Sequence, residues 1–167
     1  FTGQEDLALK LSKINLKRLS ADILQLASDR LFEGELNLDF TMKGSADSPI
    51  IDLTYYVDSI KVQNYYLGSL ESSVHYLDKI VSANFGFLES KNNQARKSLG
   101  LEGTLPIDLS FFVKDRFTQN QQIDLTFFAD NYDLRFASSF IPSIKNLVGS
   151  LNGSINFSGY FDDIKNS

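Results

Sequence analysis

Along most of the chain, apolar and polar residues change places at every step. Leu36, Leu38, Phe40 and Met42 alternate with Glu35, Asn37, Asp39, Thr41 and Lys43, the period-two pattern of a strand with one buried face. Val81, Ala83, Phe85 and Phe87 form another run, and Leu70, Val74 and Tyr76 share one parity with Ser72. Leu99, Leu101, Gly103 and Leu105 lead into Ile107, Leu109, Phe111 and Val113 on the same parity. The last run is Leu151, Gly153, Ile155, Phe157 and Gly159, and shorter pieces lie at 7–11, 51–57, 60–67 and 123–129. Together these predict about ten strands joined by short polar turns, an all-β antiparallel meander. Two segments break the alternation. Residues 19–27 have helical spacing (Leu19, Ile23, Leu26) with Ser20 placed as an N-cap. Residues 136–147 are similar, with Ser138 or Ser139 as the cap and Pro142 limiting them to short turns. Helices this short do not cover such a sheet.

The chain also repeats itself. Gly34-Glu35-Leu36-Asn37 recurs as Gly149-Ser150-Leu151-Asn152. In the same register Phe40 meets Ile155, Met42 meets Phe157, Gly44 meets Gly159 and Asp47 meets Asp162, so that 32–47 answers 147–162. A hexad appears as Ile51-Asp52-Leu53-Thr54-Tyr55-Tyr56, as Ile107-Asp108-Leu109-Ser110-Phe111-Phe112 and as Ile123-Asp124-Leu125-Thr126-Phe127-Phe128. The expected unit is a repeated β element, with residues 1–167 forming a single segment excised from a longer repetitive chain. Its open edges would pair with adjacent repeats, or dimerise in isolation.

Composition removes several functions. Lys and Arg number 16 against 21 Asp and Glu, a formal charge of −5, which is the wrong sign for a nucleic-acid footprint or a polybasic lipid-headgroup surface. With no cysteine there is no disulfide framework, structural zinc set or thiol nucleophile. No stretch approaches the ~20 consecutive apolar residues of a spanning helix.

Candidate chemistry is thin. His75, the single histidine, sits between Val74 and Tyr76 and reads as an outward strand residue. Asp52, Asp108 and Asp124 recur at one hexad position, where paired acid–base carboxylates are conceivable. Recurrence favours polar-face strand positions instead, because a repeat duplicates architecture whereas an active site is built once. Asp130 with Asp133, and Asp162 with Asp163, do not continue into a calcium-loop pattern. The glycines do not form a phosphate cradle ahead of a helix, and read as points of strand bending. Residues 89–98 are polar and read as a solvated hairpin loop. The expectation is a protein that is not an enzyme and uses no cofactor or metal.

The stretch Ile123-Asp124-Leu125, Asn131-Tyr132-Asp133-Leu134, Ile141-Pro142, Leu147-Val148-Gly149-Ser150-Leu151-Asn152-Gly153-Ser154 and Gly159 resembles the repeat of TamB/AsmA-like proteins. Gly100-Leu101-Glu102-Gly103-Thr104-Leu105-Pro106 resembles the strand joint of the same repeat, and 32–47 a weaker second copy in which Pro49 follows the terminal Asp; Ile164 stands there in the later copy. The resemblance implies a curved, taco-like or half-pipe β-groove in a periplasmic protein anchored in the inner membrane of a Gram-negative envelope. It further implies movement of phospholipid toward the outer membrane, and an outer-membrane barrel partner in protein assembly.

A sheet with one apolar face folds onto itself as a sandwich, closes as a barrel, or stays half open around a ligand. The chain carries 14 Phe and 7 Tyr, rings that stabilise by a few kcal/mol each when covered, at about 25 cal/mol per Å². The expected groove lining is Leu36, Leu38, Phe40, Met42, Leu53, Tyr55, Phe85, Phe87, Leu109, Phe111, Leu125, Phe127, Ile155 and Phe157, acting collectively on phospholipid acyl chains. The alternative is a sandwich module for adhesion or ligand binding at a surface. Tyr56, Phe112 and Phe128 fall on the polar parity, and sequence alone gives them no role.

Overall fold

The computed structural model describes residues 5–23, 32–62, 65–91, 94–114, 116–117, 120–134 and 147–160. Eight strands follow one another: β1 (Glu5–Asn15), β2 (Phe32–Ser45), β3 (Ser48–Val62), β4 (Tyr65–Leu77), β5 (Ile80–Lys91), β6 (Gln94–Leu105), β7 (Gln122–Asp133) and β8 (Ser150–Tyr160). They form one open antiparallel sheet in chain order. The sandwich alternative is therefore not what forms: every described strand belongs to the same sheet.

Among the described residues there are eight strands, not ten, for two reasons. The pieces at 51–57 and 60–67 are not separate strands, because β3 runs through Val57 and Ile60 and ends at Val62. Between them lies a bulge, where Val57 pairs with Leu70 but Ile60 with Gly68, and Ser59 is left-handed at φ 53°. The extra residue returns the apolar side chains to the same face after a step of odd length. The piece at 107–113 leaves the sheet after Pro106, which has no N–H for a ladder. Ile107 keeps only an isolated bridge to Phe117.

The Ser59 bulge has two counterparts. In β1, Leu11 pairs with Leu38 and Ile14 with Leu36, around Lys13 at φ 55°. In β7, Ala129 pairs with Gly153 and Tyr132 with Leu151, around Asn131 at φ 52°. The backbone N–H of Lys13 donates to Asn37 Oδ1 at 3.1 Å, and that of Asn131 to Asn152 Oδ1 at 2.7 Å. Asn37 and Asn152 occupy the same place in the repeat, so the internal repetition is structural. Asn37→Ala and Asn152→Ala are each expected to lower stability by about 1 kcal/mol, read as a shift of the urea midpoint.

The polar connections differ from expectation too. The first helical turn, α1 (Leu16–Arg18), begins before Ser20 and is capped by Asn15, whose side chain accepts from the Arg18 N–H. A wider turn follows at Leu19–Ile23, and Ser20 is buried with its hydroxyl donating to the Lys17 carbonyl. The segment 89–98 is mostly strand, with Ser98 fully buried on the β5–β6 ladder. The second helical segment, at 136–147, lies almost wholly outside the described residues.

Candidate functional site

Strand register turns the sequence runs into rows across the sheet, since directly opposed residues share a face. One row reads Leu9, Phe40, Leu53, Val74, Ala83, Gly103, Leu125, Phe157 from β1 to β8. The next reads Leu11, Leu38, Tyr55, Ser72, Phe85, Leu101, Phe127, Ile155. Leu36, Val57, Leu70, Phe87 and Leu99 extend the same face toward α1, and Met42, Ile51, Tyr76, Val81 and Leu105 extend it the other way. Twelve of the fourteen expected lining residues therefore stand on one apolar face. Leu109 and Phe111 do not, because the chain has left the sheet at Pro106.

Both ends of that face are packed. At one end Val57, Ile60 and Leu67 are buried, with Leu16, Phe32, Leu36, Tyr55, Leu70 and Phe87 against them. Leu16 belongs to α1, which covers this end. Nearby, Tyr132 is buried with its ring 6.5 Å from Phe87. Burial, then the charges of Glu89 and Asp133, push its phenol up to about 12, so it stays neutral beside the hydrocarbon.

The opposite end is crossed by the β6–β7 connection. Its Phe111 N–H donates to the Ala46 carbonyl in the β2–β3 turn at 3.0 Å, so the connection spans from β6 to β2. Asp108 anchors it. This carboxylate is buried, not on the polar strand face as expected, and accepts from the Ser110 hydroxyl at 2.6 Å and the Ser110 N–H at 2.9 Å. Lys79 reaches it at 3.1 Å, and the buried Tyr76 hydroxyl donates to it while accepting the Leu109 N–H. The Ser110 donors, followed by Lys79, hold its carboxyl down at about 2. Phe111 and Phe112 project from this strap and, with Leu7, Met42 and Pro49, line a cavity of about 510 Å³.

Between the packed ends the face is half-buried at the centre and opens outward. Phe127 is 44 % exposed, Phe157 55 % and Ile155 60 %, with Phe127 and Phe157 meeting edge-on at 6.1 Å. Among the described residues no second sheet lies over these rings.

The other face is dressed for water. Lys10 pairs with Asp39 and Lys97 with Glu71. His75 Nδ1 lies 2.6 Å from Asp52 Oδ1, both half-exposed, which is the outward position read from the sequence. Asp124 accepts from the Asn156 amide. The hexad aspartates thus have three different partners and do not converge. The off-parity aromatics also find places here. Phe128 lies over Gly100, where any Cβ would meet its ring, and so shields the bare glycine backbone. Tyr56 is half-exposed with its hydroxyl toward Asp58.

No protein-family model, curated protein or solved structure matches this chain.

Proposed function

We propose that this chain is a groove segment of a periplasmic, envelope-spanning protein of the TamB/AsmA-like kind, anchored in the inner membrane. In this reading its apolar face holds phospholipid acyl chains and lets them move toward the outer membrane, or assists outer-membrane protein assembly with a barrel partner. The observation that supports it most is the register itself. It aligns mostly hydrocarbon and aromatic side chains in rows over eight strands, interrupted only by Ser72 in one row and Gly103 in the other, with no opposing sheet among the described residues. At about 4.8 Å per strand those rows run about 34 Å, comparable to the ~30 Å hydrocarbon thickness of a bilayer. The half-buried centre and the exposed Phe127, Ile155 and Phe157 leave apolar surface that needs a cover. Acyl chains suit one that offers methylene and ring contacts and almost no hydrogen-bonding groups, because nothing along it would trap the cargo at one point. The Lys10–Asp39 and Lys97–Glu71 ion pairs lie on the opposite face.

The test is native mass spectrometry of protein purified without delipidation, alongside a delipidated sample and a solvatochromic hydrophobic dye. Untreated protein is expected to carry phospholipid, and delipidated protein to bind the dye. Phe127→Glu is expected to weaken dye binding at least about tenfold, with little change in stability because the side chain is already half in water. Protein that arrives lipid-free and leaves the dye unbound would end the proposal.

A further inference from the structure

The positive-φ glycines follow a rule. A Cβ added to Gly34 would meet the Asp58 carbonyl oxygen of β3 at 2.7 Å, and one on Gly44 the Ser48 carbonyl at the start of β3. On Gly68 it would strike the Leu88 carbonyl of β5, and on Gly103 the Asp124 carbonyl of β7. In β2, β4 and β6, then, each such glycine admits the backbone of the next strand in order. Gly149, Gly153 and Gly159, in and just before β8, have a backbone close to that of Gly34 and Gly103, at φ 150°, 152° and 157° against 139° and 147°. Around Gly153 and Gly159 nothing lies within 4 Å, and Gly149 meets only the Leu134 Cδ1 at 3.8 Å. Strand β8 has the fittings for a following strand and, among the described residues, no such strand.

Its side chains agree. From Ser150 to Tyr160 there is no charged residue and no proline, the devices that usually protect an exposed edge. The bulge on the β7–β8 ladder belongs to β7. The opposite edge, β1, carries the complementary element. Residues 6–14 of β1 match 52–60 of β3: Asp6-Leu7 answers Asp52-Leu53, and left-handed Lys13 answers left-handed Ser59. Since β8 repeats β2, and β1 repeats β3, the β2–β3 ladder is a template for joining β8 to β1.

We propose that β8 of one copy takes β1 of a second copy as its next antiparallel strand. Translating the register of Leu36–Val57, Leu38–Tyr55 and Phe40–Leu53 sets Leu151 opposite Leu11, Gly153 opposite Leu9 and Ile155 opposite Leu7. The apolar rows then continue across the joint. The contact is heterologous, so it extends into a linear array instead of closing as a symmetric dimer. It holds whatever covers the apolar face.

The chain has no cysteine, so single-cysteine variants report the joint cleanly. Leu7→Cys and Ile155→Cys are both at exposed positions. Under mild oxidation a disulfide is expected when the two variants are mixed and not with either alone, and the wild-type mass by light scattering is expected to rise with concentration. Ser154→Lys places a charge on the β8 edge and is expected to weaken association about tenfold or more. Self-cross-linking of Ile155→Cys as fast as in the mixture would overturn the proposal, as would a concentration-independent monomer that forms no cross-link. Undiminished association of Ser154→Lys would overturn it as well.

Discussion

Gly103→Ala is expected to unzip β6 from β7 and to lower stability by about 4 kcal/mol. The new Cβ would collide with the Asp124 carbonyl oxygen and stand 2.8 Å from the Leu125 Cα. Both obstacles are backbone, so no rotamer relieves them and the two strands must separate. The φ of 147° adds strain that only glycine avoids. Gly153→Ala is the control. Its φ of 152° is nearly the same, but open space surrounds it, so strain alone remains, at about 1 kcal/mol. Urea unfolding of the two variants measures the difference. Amide exchange of Leu101, Gly103 and Leu125 shows whether the loss is local to the β6–β7 ladder. Equal midpoints would mean that the close approach of β7 to β6 contributes nothing.

Asp108→Ala is expected to cost about 3 kcal/mol, because it leaves the buried Ser110 hydroxyl and N–H without their acceptor. The β6–β7 connection should then detach from Tyr76 and from the Ala46 turn, opening the end of the apolar face. Acid should do the same to the wild type. The Asp108 carboxyl is held below its ordinary value of 3.8, at about 2. The folded state therefore binds the proton less readily than the unfolded chain. Its contribution is complete above 3.8 and is lost as the pH falls through about 2. A thermal midpoint that falls over this window in the wild type and less in Asp108→Ala is the expected signature. Parallel pH curves for the two proteins would place the acid response elsewhere.

These two positions mark what could and could not be read along the chain. Alternation was enough to assign an antiparallel meander and to put Phe40, Tyr55, Phe85, Phe127 and Phe157 on one face, because parity along a strand is a local property. The break in parity between Val57 and Ile60 was visible as well. It read as the end of one strand and the start of another, although one strand passes through it. A left-handed Ser59 is not a sequence signal, whereas Lys13 and Asn131 in the same place make it a repeated device. The hexad at 107–112 misled for a different reason. Its residues match those of β3 and β7, but Pro106 removes a ladder donor and Ser110 gives Asp108 a closer partner than any neighbouring strand. The same six-residue pattern thus became a strap in one copy and a strand in two.

The sequence by itself determined the all-β class, the apolar and polar faces, and the two halves of the repeat, all set by side-chain order at short range. Only the tertiary structure decided that a single open sheet forms and that both ends of its apolar face are packed while the centre is half-buried and the β7–β8 side stays exposed. It alone showed that, among the described residues, Gly153 and Gly159 of β8 face open space. Those outcomes depend on which strands come together and in what register, and pairing between distant segments is settled by the summed fit of whole ladders, not by any one residue's preference.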